Sequence, residues 1–293
     1  MNLFVAELWR FRSRRVVWVL LVVVLGAIAL GMTVRAATST HDASRTFIGV
    51  DGDCVDDLVV RGEFTGDTTP CEKLQFADDD RAKLRDLHAV LRGFGPVFVL
   101  LAITLAASCL GAEFGAASLS TQLLFEPRRV RVWVTKLSAV MVGVGVVIGV
   151  ITAFLAGTYS LVAATRGTTE GVDRAWWSDR ALDGARIVIA CMLGAALGFA
   201  ITAFARRTVA ALGVFVGLFI LEPLLYEVTD TFDARLPLWP LLTFVFDPFS
   251  EFDFSAENNF GLASLGDALL PPLVWTITLV ALAGWRFRRA EIR

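Results

Sequence analysis

Six stretches of this 293-residue chain are apolar and carry one charged side chain at most. Val16–Val34 lies between Arg15 and Arg35, Gly93–Ala112 between Arg92 and Glu113, and Leu137–Thr165 between Lys136 and Arg166. Ile187–Ala205 lies between Arg186 and Arg206, and Ala268–Trp285 between Asp267 and Arg286. These five run for 19, 20, 29, 19 and 18 residues. The sixth, Thr208–Tyr226, is interrupted only by Glu222. A helix needs about 20 residues to cross the hydrocarbon core of a bilayer. The runs are continuous rather than alternating, so they read as helices and not as barrel strands. A helix also satisfies its own backbone hydrogen bonds, which lipid cannot do. The chain is 56% hydrophobic, above the 45–50% usual for a soluble domain, and these runs hold the excess.

The expected fold is an all-α membrane protein with six transmembrane helices, at about 16–34, 93–112, 137–163, 187–205, 208–226 and 268–285, forming one domain over 1–293. Basic residues orient it. With six spans both termini share a side. That side carries Arg10, Arg12, Arg14, Arg15, Arg128, Arg129, Arg131, Lys136, Arg206, Arg207, Arg286, Arg288, Arg289 and Arg293, against Glu7, Glu113, Glu126 and Glu291. The opposite side has 13 basic and 25 acidic residues, so the net charge of −2 hides a strong separation. The positive-inside rule makes the basic side, with both termini, cytoplasmic. The expected location is a bacterial inner (plasma) membrane, crossed several times, with the bilayer as a partner and no nucleic-acid partner.

Before the first span, Leu3, Phe4, Leu8 and Phe11 fall on one helical side with Glu7, Arg10 and Arg14 opposite. That spacing predicts a short amphipathic helix lying flat at the inner interface, with Trp9 as an interfacial ring. Residues 35–92 form the largest outer loop, with 12 acidic and eight basic residues. Phe47–Val50 and Val55–Val60 are weak strand candidates there, and Leu84, Leu87, Val90 and Leu91 begin a helical pattern. The acidic cluster from Asp51 to Asp57 lacks the spacing and closing Glu of a calcium loop and reads as a solvated surface. Cys54 and Cys71 share this loop, where an oxidising exterior permits a bridge between them. Cys109 and Cys191 fall inside spans and read as small packing residues.

Glycines recur four apart at Gly111/Gly115, Gly145/Gly149, Gly194/Gly198 and Gly213/Gly217, a spacing that lets helices approach closely. Trp176 and Trp177 are placed for an aromatic belt in the short outer loop 166–186. Arg206-Arg207 makes a tight inner turn. Glu222-Pro223 sits near the outer end of the fifth span. An acid at membrane depth is costly unless paired or wet, so Glu222 either lines a substrate path or gate or has reached the outer headgroups. Residues 227–267 are too apolar for a solvated loop and too proline-rich for a span, which suggests an outer re-entrant segment.

The chemistry of an enzyme is missing. Of the three lysines (Lys73, Lys83, Lys136) none follows glycine, so no phosphate-binding loop exists. The histidines, His41 and His88, both fall in the outer segment, and no zinc-protease or serine-elbow motif occurs. No catalytic, cofactor-binding or metal-binding set is expected, and any energy must come from another chain.

The cytoplasmic stretch 113–136 is distinctive. It runs Glu113-Phe-Gly115-x-x-Ser118-Leu119, then Leu123-Leu124, then Pro127-x-Arg129, then Lys136. Ser118–Phe125 is long enough for two helical turns, and Pro127 sets a break before the third span. This stretch resembles the loop between the second and third spans of ABC type-2 transporter permeases, and the six-span plan is similar across the chain. The arginines here fall one, two and four residues after Pro127, a looser register than the family's usual one.

The resemblance implies an exporter permease that moves a hydrophobic or amphipathic substrate. It implies a cytoplasmic ATP-binding subunit that hydrolyses the ATP, and a second permease copy in a homo- or heterodimer. It also implies that Glu113, Gly115, Ser118, Leu119, Leu123, Leu124, Pro127 and Arg129 couple the two subunits. The alternative class is a non-transporting six-span protein, such as an immunity, sensor or assembly factor.

Overall fold

The computed structural model describes residues 3–39, 46–50, 72–76, 82–116, 118–125, 128–169, 171–229, 241 and 265–289. It is a helical bundle. The helices are α1 (Leu3–Ser13), α2 (Arg15–Thr38), α3 (Leu87–Gly115), α4 (Ser118–Phe125), α5 (Arg129–Arg166), α6 (Arg174–Ala205), α7 (Thr208–Thr229) and α8 (Leu265–Arg289). Among the described residues, five helical stretches are long and apolar enough to cross a membrane: Arg15–Thr38, Leu84–Gly115, Arg129–Arg166, Arg174–Ala205 and Leu269–Arg289. Helix α7 has 22 residues and contains Glu222-Pro223.

Helix α6 is the hub. It packs against α3, α5, α7 and α8. The close approach to α3 is set by Gly198, where a Cβ would stand 2.9 Å from the Ile103 carbonyl oxygen. Gly194 meets Val99 and Ile103, Gly145 meets Met192, and Gly111 lies against the Thr208 hydroxyl. Both members of the Gly194/Gly198 pair are used; Gly115 and Gly149, the partners of Gly111 and Gly145, and both members of the Gly213/Gly217 pair have nothing among the described residues within 4 Å of an added Cβ. Close crossings are therefore made by glycines of α3, α5 and α6, and not by the pair on α7. Helix α2 packs by one stripe against α5: Val17 and Ile28 are buried and Leu20, Leu21, Val24, Leu25 and Met32 are half-buried, while Val19, Val22, Val23 and Leu30 are exposed. The exposed apolar side belongs in lipid or against another chain.

The helices extend past the charge-free runs. Helix α3 starts at Leu87, after a two-residue strand β3 (Ala82–Lys83) and a 3-10 turn (Leu84–Asp86). It carries Arg92 inside the fold, where the guanidinium sits 3.9 Å from Asp183 of α6. Asp183 also pairs with Arg180 at 3.0 Å and Arg186 at 3.7 Å. Because these charges are paired, they do not end their helices.

Helix α6 begins at Arg174, capped by Asp173, whose carboxylate accepts the Trp176 amide N–H at 2.7 Å. Trp176 and Trp177 are thus on its first turn, not in a loop. The helix ends far from the termini are tied by β3 pairing in parallel with β4 (Gly167–Thr168) and by the Tyr159 hydroxyl donating to the Lys83 carbonyl at 3.0 Å. The Arg206-Arg207 turn closes with Arg206 in the left-handed region, φ 56°, its N–H donating to the Thr202 carbonyl. This is a helix cap usually taken by glycine.

In the outer segment β1 (Thr46–Val50) pairs antiparallel with β2 (Glu72–Phe76). The expected strand at Phe47–Val50 forms. Val55–Val60, the Cys54–Cys71 bridge, and the re-entrant segment beyond Thr229 (Leu241 and Leu265–Asp267 apart) lie outside the described residues.

Helix α1 departs from expectation. It forms, and Trp9 is exposed, but Glu7 is buried with Phe11 rather than turned outward with the arginines. The helix packs against α5. Phe11 occupies the space beside Gly143, where a Cβ would come within 2.6 Å of its ring. The buried face of α1 is Glu7 and Phe11, spaced i, i+4 on one side of the helix; Arg14, in the junction between α1 and α2, is half-buried.

Candidate functional site

The basic end of the bundle gathers α1, the end of α3, the short helix α4 and the start of α5. Helix α3 runs to Gly115, α4 covers Ser118–Phe125, and α5 starts at Arg129. Arg128 precedes it with φ −78° and ψ 79°, outside helical geometry; Pro127, expected to set the break, lies outside the described residues.

Between these elements lies a line of alternating charge. Lys136, on the second turn of α5, is 4% exposed. Its Nζ is 3.1 Å from both carboxylate oxygens of Glu7 and 2.8 Å from Glu113 Oε2. The Glu113 contact is a close ion pair rather than an aligned hydrogen bond, since Oε2 lacks a hydrogen-bond partner. The other Glu113 oxygen accepts from Arg14 at 2.8 Å. Arg10 donates to Glu7 Oε1 at 3.0 Å, and Gln122 of α4 donates to the same oxygen at 2.6 Å.

Buried charges persist only when paired and hydrogen-bonded. Here one ammonium serves two carboxylates, and two arginines complete them. A cavity of about 20 Å³ lies beside the cluster, bounded by Glu7, Cys109, Glu113, Lys136 and Phe199, room for about one water.

Aromatic packing fixes the neighbouring end of α8. Trp133 of α5 stacks at a tilt on Phe199, with centroids 4.9 Å apart, and on Phe287 at 5.5 Å. A Cβ on Gly284 would come within 2.9 Å of the Trp133 ring nitrogen. Arg129 donates to the Arg288 carbonyl at 3.3 Å.

The residues expected to couple to a partner separate into three groups. Glu113 and Arg129 face inward, the first in the ion cluster and the second against α8. Gly115, Ser118 and Leu124 are exposed, Leu124 at 83%. The side chains of Leu119 and Leu123, and all of Pro127, lie outside the described residues. So does the side chain of Glu222, although its backbone is helical.

Sequence reasoning overlooked Glu7, Gln122 and Arg14. The available signal for the first was the i, i+4 spacing of Glu7 and Phe11, which competes with the more obvious apolar side of α1.

Both carboxylates are paired with cations. What the cluster does is join three helix ends around a short helix whose Leu124 projects outward. No known family model matches the sequence, and no curated protein matches it.

Proposed function

We propose that this chain is the membrane-spanning permease of an ATP-driven exporter in a bacterial cell membrane, with six spans and cytoplasmic termini. The observation that carries the reading is α4: a two-turn helix between two long apolar helices, on the basic side, with an exposed leucine. A single exposed leucine is common on a protein surface; what distinguishes Leu124, 83% exposed, is its place on a short helix that joins two long apolar ones on the basic side.

In this reading the partner is a cytoplasmic ATP-binding subunit, and α4 is where it docks. Nucleotide-driven closure of the partner displaces α4, and the charge cluster passes that displacement to the ends of α3 and α5. Energy comes from the partner, in keeping with a chain that has no phosphate-binding loop of its own. Helix α7 supplies the sixth span, with Glu222 near its outer end as a candidate lining or gate residue. The exposed apolar side of α2 suits a second permease copy or lipid.

The test is affinity purification of the chain from its native membrane in mild detergent. A stoichiometric ATP-binding subunit is expected to accompany it, and its hydrolysis is expected to respond to the permease. A chain that purifies without any such subunit, from cells that express all its neighbours, removes the exporter reading. It would leave a six-span sensor, immunity or assembly protein.

A further inference from the structure

The Glu7 carboxylate is a joint between three helices. It accepts from Arg10 on α1, from Gln122 on α4 and from Lys136 on α5. A carboxylate offers about four acceptor positions, so one side chain can meet all three donors at once. Seven residues on, in the junction between α1 and α2, Arg14 holds Glu113 at the end of α3. Among the described side chains of α4, Gln122 is the one that bonds to another element. An eight-residue helix is too short to hold itself in water. Its place is set by contacts with the rest of the fold, among them this bond.

We infer that Glu7 is a positioning residue: it holds α4 in the orientation in which that helix is presented at the surface, and ties it to the base of α5. The significance of α4 as a docking helix rests on the exporter reading; the anchoring does not. Lys136 would need a counter-charge whether or not α4 were anchored. That the same oxygen also takes Gln122, at 2.6 Å, is what makes Glu7 more than the partner of a buried lysine. The link joins residues 115 positions apart, so it is made by the fold and not by local sequence.

The experiment uses the full chain alone, in lipid nanodiscs. A ketone-bearing residue replaces Leu124, Trp9 or Val150 one at a time and carries a nitroxide, so the cysteines play no part. All three positions are exposed, on α4, α1 and α5 respectively. Losing a hydrogen bond to a charged group should raise the mobile-to-immobile ratio of an anchored element about tenfold.

At position 124 that rise is expected in both Glu7→Ala and Gln122→Ala. At position 9 it is expected in Glu7→Ala only. At position 150 no change is expected in either. Glu7→Gln keeps an acceptor for Gln122 and should give a smaller rise at 124 than Glu7→Ala.

An unchanged signal at 124 in Glu7→Ala overturns the inference. A rise at 124 and 150 together overturns it as well, because Glu7 would then be supporting the bundle at large. No ATP-binding subunit is present, so failure here is distinct from failure of the exporter reading, which co-purification decides.

Discussion

Replacing Lys136 with methionine keeps the volume of the side chain and removes its charge. Two buried carboxylates then remain, Glu7 and Glu113, which had shared one ammonium at 3.1 Å and 2.8 Å. A pair of unit charges at about 3 Å attracts by roughly 5 kcal/mol at an effective dielectric of 20, before the cost of drying both groups. Measured losses on removing one partner of a buried pair are about 3–5 kcal/mol. Arg14 and Arg10 stay behind and hold the outer oxygens, so the lower half of that range applies, about 3 kcal/mol.

For a chain of this size that is a fall in midpoint of roughly 5–10 °C. The melt is followed by the tryptophan fluorescence of the whole chain, which has eight tryptophans. The double variant Lys136→Met with Glu7→Gln removes one of the stranded charges. It should melt higher than Lys136→Met alone, although it carries one more substitution. If Lys136→Met melts with wild type, or the double variant melts lower than the single one, the charge-sharing account of this end is wrong.

Two further outcomes follow from particular contacts. Gly198→Ala places a methyl 2.9 Å from the Ile103 carbonyl and should cost about 1–3 kcal/mol as α3 and α6 are pushed apart. Gly149→Ala, with nothing within 4 Å, should be neutral or gain up to about 1 kcal/mol from helix propensity. Thermal melts of the two variants in one detergent make the comparison. Cys109 and Cys191 are buried and should resist a small maleimide until the chain is denatured. Mass spectrometry of the unreduced protein then reads Cys54 and Cys71 separately: no alkylation in the folded or the denatured state means a bridge, and two added groups mean none.

The long helices were legible because nothing else explains runs of 18 to 29 residues without charge. Their ends were less legible, and Arg92 and Asp183 show why. A charged residue ends a hydrophobic run on paper. In the fold the two meet at 3.9 Å with Arg180 and Arg186 beside them, and the helices continue through. Pairing of this kind joins residues far apart in sequence, so no local pattern announces it.

Helix α1 carries the same lesson. Its eleven residues admit two apolar-looking sides, and the local pattern favoured the one that left Glu7 in water. The deciding partner, Lys136, lies 129 positions away. Helix α4, by contrast, depends on nearby signals. The end of an apolar run, a stretch without glycine or proline and a following proline place it at Ser118–Phe125 from sequence alone. Which of its side chains face outward is set by its seat on α1, and only the fold supplies that.

The central claim is that α4 receives an ATP-binding partner, and Leu124→Asp tests it most directly. Leu124 is 83% exposed, so the substitution should leave insertion and the melting temperature unchanged to within about 0.5 kcal/mol. Co-purification from native membranes should then lose the ATP-binding subunit that the wild-type chain retains. A Leu124→Asp chain that holds such a subunit as firmly as wild type, or a wild-type chain that holds none, would contradict the account.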